Sequence, residues 1–218
     1  MTTPSTEQQA PASLRELLGG RRGALDASFP PVAFVLGWLV SGRSIAWGAA
    51  AALVVGAIVG AIRVLRGQRV TGMLASLAAV AGGALIALYT GRAQDFFLVQ
   101  LLLNVASALA WTVSILIRWP LLGLVVGTIL GQKTRWRRDP ALLRAYSRAS
   151  WIWVAQYLLR MLVFGAFWLT GAVVALGVAR VALSWPLIAA VIAVSAVVFQ
   201  RALPEDHPGL RHPNVSAA

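Results

Sequence analysis

From Phe96 to Ile117 the chain runs for about 22 residues without a charge, and Arg118 closes the run. As a helix this stretch is about 33 Å long, enough to cross the roughly 30 Å hydrocarbon core of a bilayer. An apolar run of that length between Arg92 and Arg118 reads as a membrane span. It also carries the chain's most regular polar pattern. Gln100, Asn104, Ser107, Trp111 and Ser114 follow at spacings of four, three, four and three, which puts all five on one helical face. A polar face on a lipid-buried helix must look at protein, water or ligand.

One span does not account for the composition. The 218-residue chain is 59% hydrophobic and 12% charged, with a mean hydropathy of +0.76, against about 45–50% apolar and 25% charged in soluble domains. Several spans explain both figures. With no cysteine, disulfides, thiolate catalysis and cysteine metal sites are excluded. The two histidines, His207 and His212, lie near the C-terminus, so neither a metal site nor a general base in the membrane can use one. No metal and no cofactor are expected. A net charge of +12 in a soluble protein would suggest nucleic acid. Here the arginines fall between apolar runs, as the positive-inside bias dictates, so nucleic-acid binding is not expected.

Taken in order, residues 1–28 read as a cytoplasmic tail, largely disordered, in which Ser13 to Gly20 has the caps of a short amphipathic helix. Phe29 to Val40 is a short first span or a re-entrant piece. Ser44 to Ile62 and Val70 to Tyr89 are spans separated by Arg63, Arg66 and Arg69. Each has small residues every fourth position: Gly48, Ala52, Gly56 and Gly60 in one, Ala75, Ala79, Gly83 and Ala87 in the other. Such stripes let backbones approach closely. Packing of the two helices on each other is the main expectation, and homo-oligomerisation the minority one.

After the Phe96–Ile117 span, the dozen apolar residues of Pro120 to Gly131 are too few to cross. Basic residues flank them on both sides, so they read as a re-entrant or interfacial helix. Asp139-Pro140 is a helix start, with Asp as N-cap and Pro at the first helical position. One helix should then run through a basic stem to about Thr170. Val173 to Leu183, which contains Arg180, is placed at the outer surface, and Trp185 to Phe199 is the last span. The expected fold is an all-α polytopic transmembrane bundle of about six spans plus one short re-entrant or interfacial helix. The membrane domain covers residues 29–201, residues 202–218 form a disordered tail, and both termini are cytoplasmic.

Several short stretches resemble known families. Phe29-Pro-Pro-Val-Ala-Phe34, the basic turn Arg63 to Arg69, Gly82-Gly83-Ala-Leu85 before Asp95-Phe96, and Val113-Ser114 followed by Pro120-Leu-Leu122 look like the intracellular septation protein A family of bacterial inner-membrane proteins. Gly91-Arg-Ala-Gln-Asp-Phe96, Arg118-Trp-Pro120, Tyr146-Ser-Arg-Ala-Ser-Trp151 and Leu176-Gly-Val-Ala-Arg180 resemble more closely an actinobacterial multi-pass family with no assigned function, the domain of unknown function 3159. The first resemblance implies a bacterial plasma-membrane protein linked to division and envelope biogenesis. Neither brings a catalytic motif.

The strongest single candidate for a site is Arg160. It lies nine residues into its expected span, close to the bilayer midplane, where an arginine costs on the order of 2.5–3.5 kcal/mol. Gln156 and Trp153 share its face, and no acidic residue lies in any expected span. Arg160, Gln156 and Asn104 could together hold an anionic head group or substrate. Alternatively, Arg160 bonds to Asn104, Gln156 and helix carbonyls and closes the bundle. Paired carboxylates, HExxH, a Ser/His/Asp set and a phosphate loop are all missing, so no enzyme is expected. Two functions compete: a non-enzymatic component of envelope biogenesis or septation, and a small lipid or anion carrier using a buried arginine. Expected partners are membrane lipids, including anionic head groups, and division or envelope proteins.

Overall fold

The computed structural model describes residues 20–67, 70–131 and 134–204, and every regular element among them is helical. The helix expected from Ser13, Lys133 in the basic loop, and the C-terminal tail beyond 204 lie outside the described residues.

Helix α1 (Gly20–Val40) is followed by α2 (Ile45–Leu65), α3 (Val70–Thr90), a 3-10 turn (Ala93–Phe97), α4 (Leu98–Leu116) and α5 (Leu121–Ile129). A second 3-10 turn (Arg135–Arg138), α6 (Pro140–Leu169), α7 (Val173–Ala182) and α8 (Trp185–Ala202) complete the described chain. Five stretches are long and apolar enough to cross a membrane: α2, α3, Ala93–Leu116, α6 and α8. The first expected span is helical as well, but its apolar part is only Ser28–Val40. Helix α1 runs back to Gly20, so the boundary expected at Phe29 falls inside it. Pro30 and Pro31 sit within α1, and their missing N–H groups cannot bond the carbonyls of Asp26 and Ala27.

The turns at 41–44, 91–97 and 170–172 gather at one end of the bundle. Arg63, Arg66, Arg118, Arg135 and Arg201 mark the other, here called the basic end. Close backbone approaches fix the helix pairs. A side chain at Gly48 of α2 would meet the Phe34 carbonyl of α1 at 2.9 Å, and one at Gly60 would meet Met73 of α3 at 2.7 Å. The α2 stripe is thus shared between two neighbours. Gly83 of α3 faces the Phe96 carbonyl, where an added Cβ would lie at 2.5 Å. Ala79 is exposed, and Gly56 has only loose contacts with Leu77 and Pro30.

Helix α6 begins as its sequence demands: the Asp139 carboxylate accepts from the N–H groups of Ala141 and Leu142 at 3.0 and 3.2 Å. Its 30 residues make it about 45 Å long, enough for a span and a stem. The nine-residue α5 packs on α6 beside the 3-10 turn Arg135–Arg138, with Gly123 under the Trp136 ring.

Helix α7 departs from its expected surface position. Leu176 and Gly177 are buried, and Gly177 packs on Val35 of α1, while Val174, Val178 and Val181 are exposed. The turn before α7 lies beside Gln94, and the carbonyl after it, Leu183, meets Arg160. Arg160 is nine residues from Leu169, about 13 Å below the end of α6. Helix α8 continues past α6 to place Phe199 on Tyr146. Helices α7 and α8 therefore descend in series, broken at Leu183-Ser184. The arginine in α7 suggests the surface, but a ten-residue helix with Arg180 turned inward can form the first part of a broken crossing.

Candidate functional site

The polar face of α4 turns towards α6. Asn104 and Ser114 are buried, and Trp111 stacks on Trp153 of α6 with ring centroids 5.0 Å apart and planes 5° from parallel. Gln100 donates from Nε2 to Asn104 Oδ1 at 3.4 Å, while the Ser114 hydroxyl donates to the Trp111 carbonyl and accepts from the Leu121 N–H. Ser114 thereby ties the end of α4 to the start of α5.

Opposite it, α6 presents a row that sequence spacing revealed only in part. Tyr146, Ser150, Trp153, Gln156 and Arg160 follow at spacings of four, three, three and four. Each holds a buried polar atom without a hydrogen-bond partner among the described residues: Tyr146 Oη, Ser150 Oγ, Trp153 Nε1, Gln156 Oε1 and Arg160 Nε. Trp153, Gln156 and Arg160 were read as one face. Ser150 and Tyr146 extend it, and the same three-and-four spacing that marked α4 would have found them.

Arg160 uses Nη2 to donate to the Leu183 carbonyl at 2.7 Å. That carbonyl lies at the break between α7 and α8, where the helical ladder has no N–H to offer it. Gln156 and Asn104 are both buried, and the Asn104 Nδ2 group has no partner among the described residues.

The second arginine was missed. Arg180 donates from Nη1 to Gln100 Oε1, linking α7 to α4. Neither Arg160 nor Arg180 has a carboxylate within ion-pair distance among the described residues; Arg92 and Asp95, 3.9 Å apart, form a pair at the other end, where Asp95 also accepts from Trp168 Nε1. The clue to Arg180 lay in α7 itself. Val174, Val178 and Val181 make one apolar face, and Gly177 and Arg180 lie off it, which is the pattern of a packed helix.

Arg180 lines a cavity of about 190 Å³ between α1, α2, α3 and α4. Gln100, Phe96, Leu103, Gly56 and Leu77 contribute walls, and Asp26 and Arg63 line it towards the basic end. Arg160, Gln156 and Asn104 do not line this cavity.

The model of a family described as "Protein of unknown function (DUF3159)" matches residues 18–206. The chain belongs to this family. The DUF3159 match covers every helix from α1 to α8 and both half-buried arginines, Arg160 and Arg180. No curated protein and no solved structure matched the chain. Membership of DUF3159 and five long apolar helices make this an integral membrane protein.

Proposed function

We propose that this protein is a non-enzymatic component of the bacterial plasma membrane that serves envelope biogenesis or septation. Both termini lie in the cytoplasm, and anionic lipid head groups meet its basic end. The observation that carries this reading is the use made of Arg160. Its guanidinium serves the Leu183 carbonyl, a structural task that closes the bundle at the helix break. Support for a scaffold also comes from the tight approaches at Gly48, Gly60 and Gly83, which lock helices rather than open a path. Depletion of the protein, followed by envelope lipid analysis and cell-shape imaging, tests the role. Altered septa or lipid composition is expected; unchanged cells would end the proposal.

Sidedness is tested separately. Thr134 and Tyr89 are both exposed and stand at opposite ends of the bundle. Thr134→Cys should be protected from an impermeant thiol reagent in intact cells, and Tyr89→Cys should label. The reverse pattern would place the termini outside.

A small lipid or anion carrier using a buried arginine remains the second reading. One observation favours it: a cavity reaches an arginine, and that arginine is Arg180.

A further inference from the structure

Arg180 is seven residues into α7, about 10 Å below the turn at 170–172. It shares a cavity wall with Pro31 of α1, Gly56 of α2 and Leu77 of α3, inside the bundle rather than at its rim. With no carboxylate within ion-pair distance among the described residues, an arginine held there carries a charge that is costly in low dielectric. Gln100 supplies one neutral acceptor, whereas a guanidinium has five N–H donors in a planar fork. The charged residues along the cavity are Arg180, Arg63 and Asp26, two cations against one carboxylate. At about 30 Å³ per water, 190 Å³ has room for an oxyanion with a water or two.

We propose that this cavity is a binding site for a phosphate-type oxyanion, gripped by the Arg180 fork while Gln100 holds the fork in place. The anion enters from the basic end past Arg63. Both an anionic lipid head group and free inorganic phosphate have this chemistry. Two points favour a head group: the walls at Leu77, Leu103 and Gly56 are apolar, and the surroundings are membrane. The proposal gives a site to the carrier reading and rests on the membrane placement alone, so it stands or falls independently of the envelope role.

The test uses the full chain. Purified protein in detergent is titrated with inorganic phosphate, with thermal unfolding as readout. In parallel, protein in nanodiscs of phosphatidylcholine, with or without phosphatidylglycerol, is scored for retained phosphatidylglycerol by native mass spectrometry. The expected result is retention of phosphatidylglycerol, weakened about tenfold or more in Arg180→Gln, because charge-assisted bonds are lost. Arg180→Lys should recover only part of it, since lysine lacks the fork. A response to phosphate alone, equally lost in Arg180→Gln, would identify the ligand as a free anion and still support the site. Gln100→Glu covers the case in which Arg180→Gln fails to fold. Its carboxylate would neutralise Arg180 internally, and the Asn104 Nδ2 group, without a partner among the described residues, can serve its second oxygen. That variant should melt no lower than wild type and yet lose binding about tenfold. Wild-type protein that binds neither probe, or a folded Gln100→Glu protein that binds as wild type does, would overturn the proposal.

Discussion

At the end of the bundle opposite the basic one, Phe34 lies flat on Phe96 with centroids 3.9 Å apart, and Phe97 meets both rings edge-on. Around them sit Ala49, Ala52, Ala84 and Ala87. At the basic end the core is Trp136, Tyr146, Phe199 and Leu142, with Trp136 lying over Gly123 and Arg137 stacked 3.9 Å above the neighbouring Trp119. Both cores are aromatic, yet they are built differently. The first depends on side chains that are absent: Gly83 lets the Phe96 carbonyl approach within 2.5 Å of where a Cβ would be. The second depends on one large side chain that is present, filling the space between α5 and α6. Added atoms should therefore break the first core, and removed atoms the second.

Four substitutions test that contrast, in falling order of effect. Gly83→Leu should abolish the folded protein, because the clash is with backbone and exceeds the roughly 1–3 kcal/mol of ordinary overpacking. Detergent extraction and size-exclusion profiles would check it, and a monodisperse, normally melting Gly83→Leu protein would refute the account of that end. Trp136→Ala should cost about 3–5 kcal/mol, as removal of a fully buried aromatic does, read as loss of stability in denaturant titrations. Gly123→Ala should cost about 1–3 kcal/mol, since its Cβ would lie 2.7 Å from the Trp136 ring. Here the obstacle is a side chain, so Trp136→Phe should recover part of the loss. No single side-chain change should rescue Gly83→Leu. The smallest effect belongs to Gly82→Ala, next to Gly83 but with open space around it, which should stay within about 1 kcal/mol of wild type and on the stabilising side. A loss as large as that of Gly83→Leu would mean that the α3 surface, not one approach, is what matters.

Features encoded within a few residues were legible in the sequence. Asp139-Pro140 announced the start of α6, and the spacing of Gln100, Asn104, Ser107, Trp111 and Ser114 announced an inward face on α4. The small-residue stripes announced close approach, but not between which helices. Gly48 meets α1, Gly60 meets α3, and Gly83 meets the 3-10 turn. Partner identity depends on how distant segments fold together, which a local pattern does not contain. The same limit hid Arg180. Its neighbour Gln100 is 80 residues away, and α7 is too short for a length rule to recognise. Arg160 stood out because it lies inside a long apolar run. Its acceptor, Leu183, owes its open carbonyl to a helix break that Ser184 and Pro186 do mark, at the N-cap and first turn of α8, but which distant side chain reaches that carbonyl is not a local matter.

The contact between Gly177 and Val35 bears on how the protein is made. The apolar part of α1, Ser28–Val40, and the ten residues of α7 are each too short to be held by lipid alone. Helix α2 emerges from the ribosome directly after α1 and can cover one side of it. The other side waits until about 140 more residues have been translated. Every nascent chain thus passes through a period in which its first helix is half clad, and the last crossing to be inserted completes the first. A chain that stops before Val173 never closes that seam, and membrane quality control would meet it as an unfinished bundle.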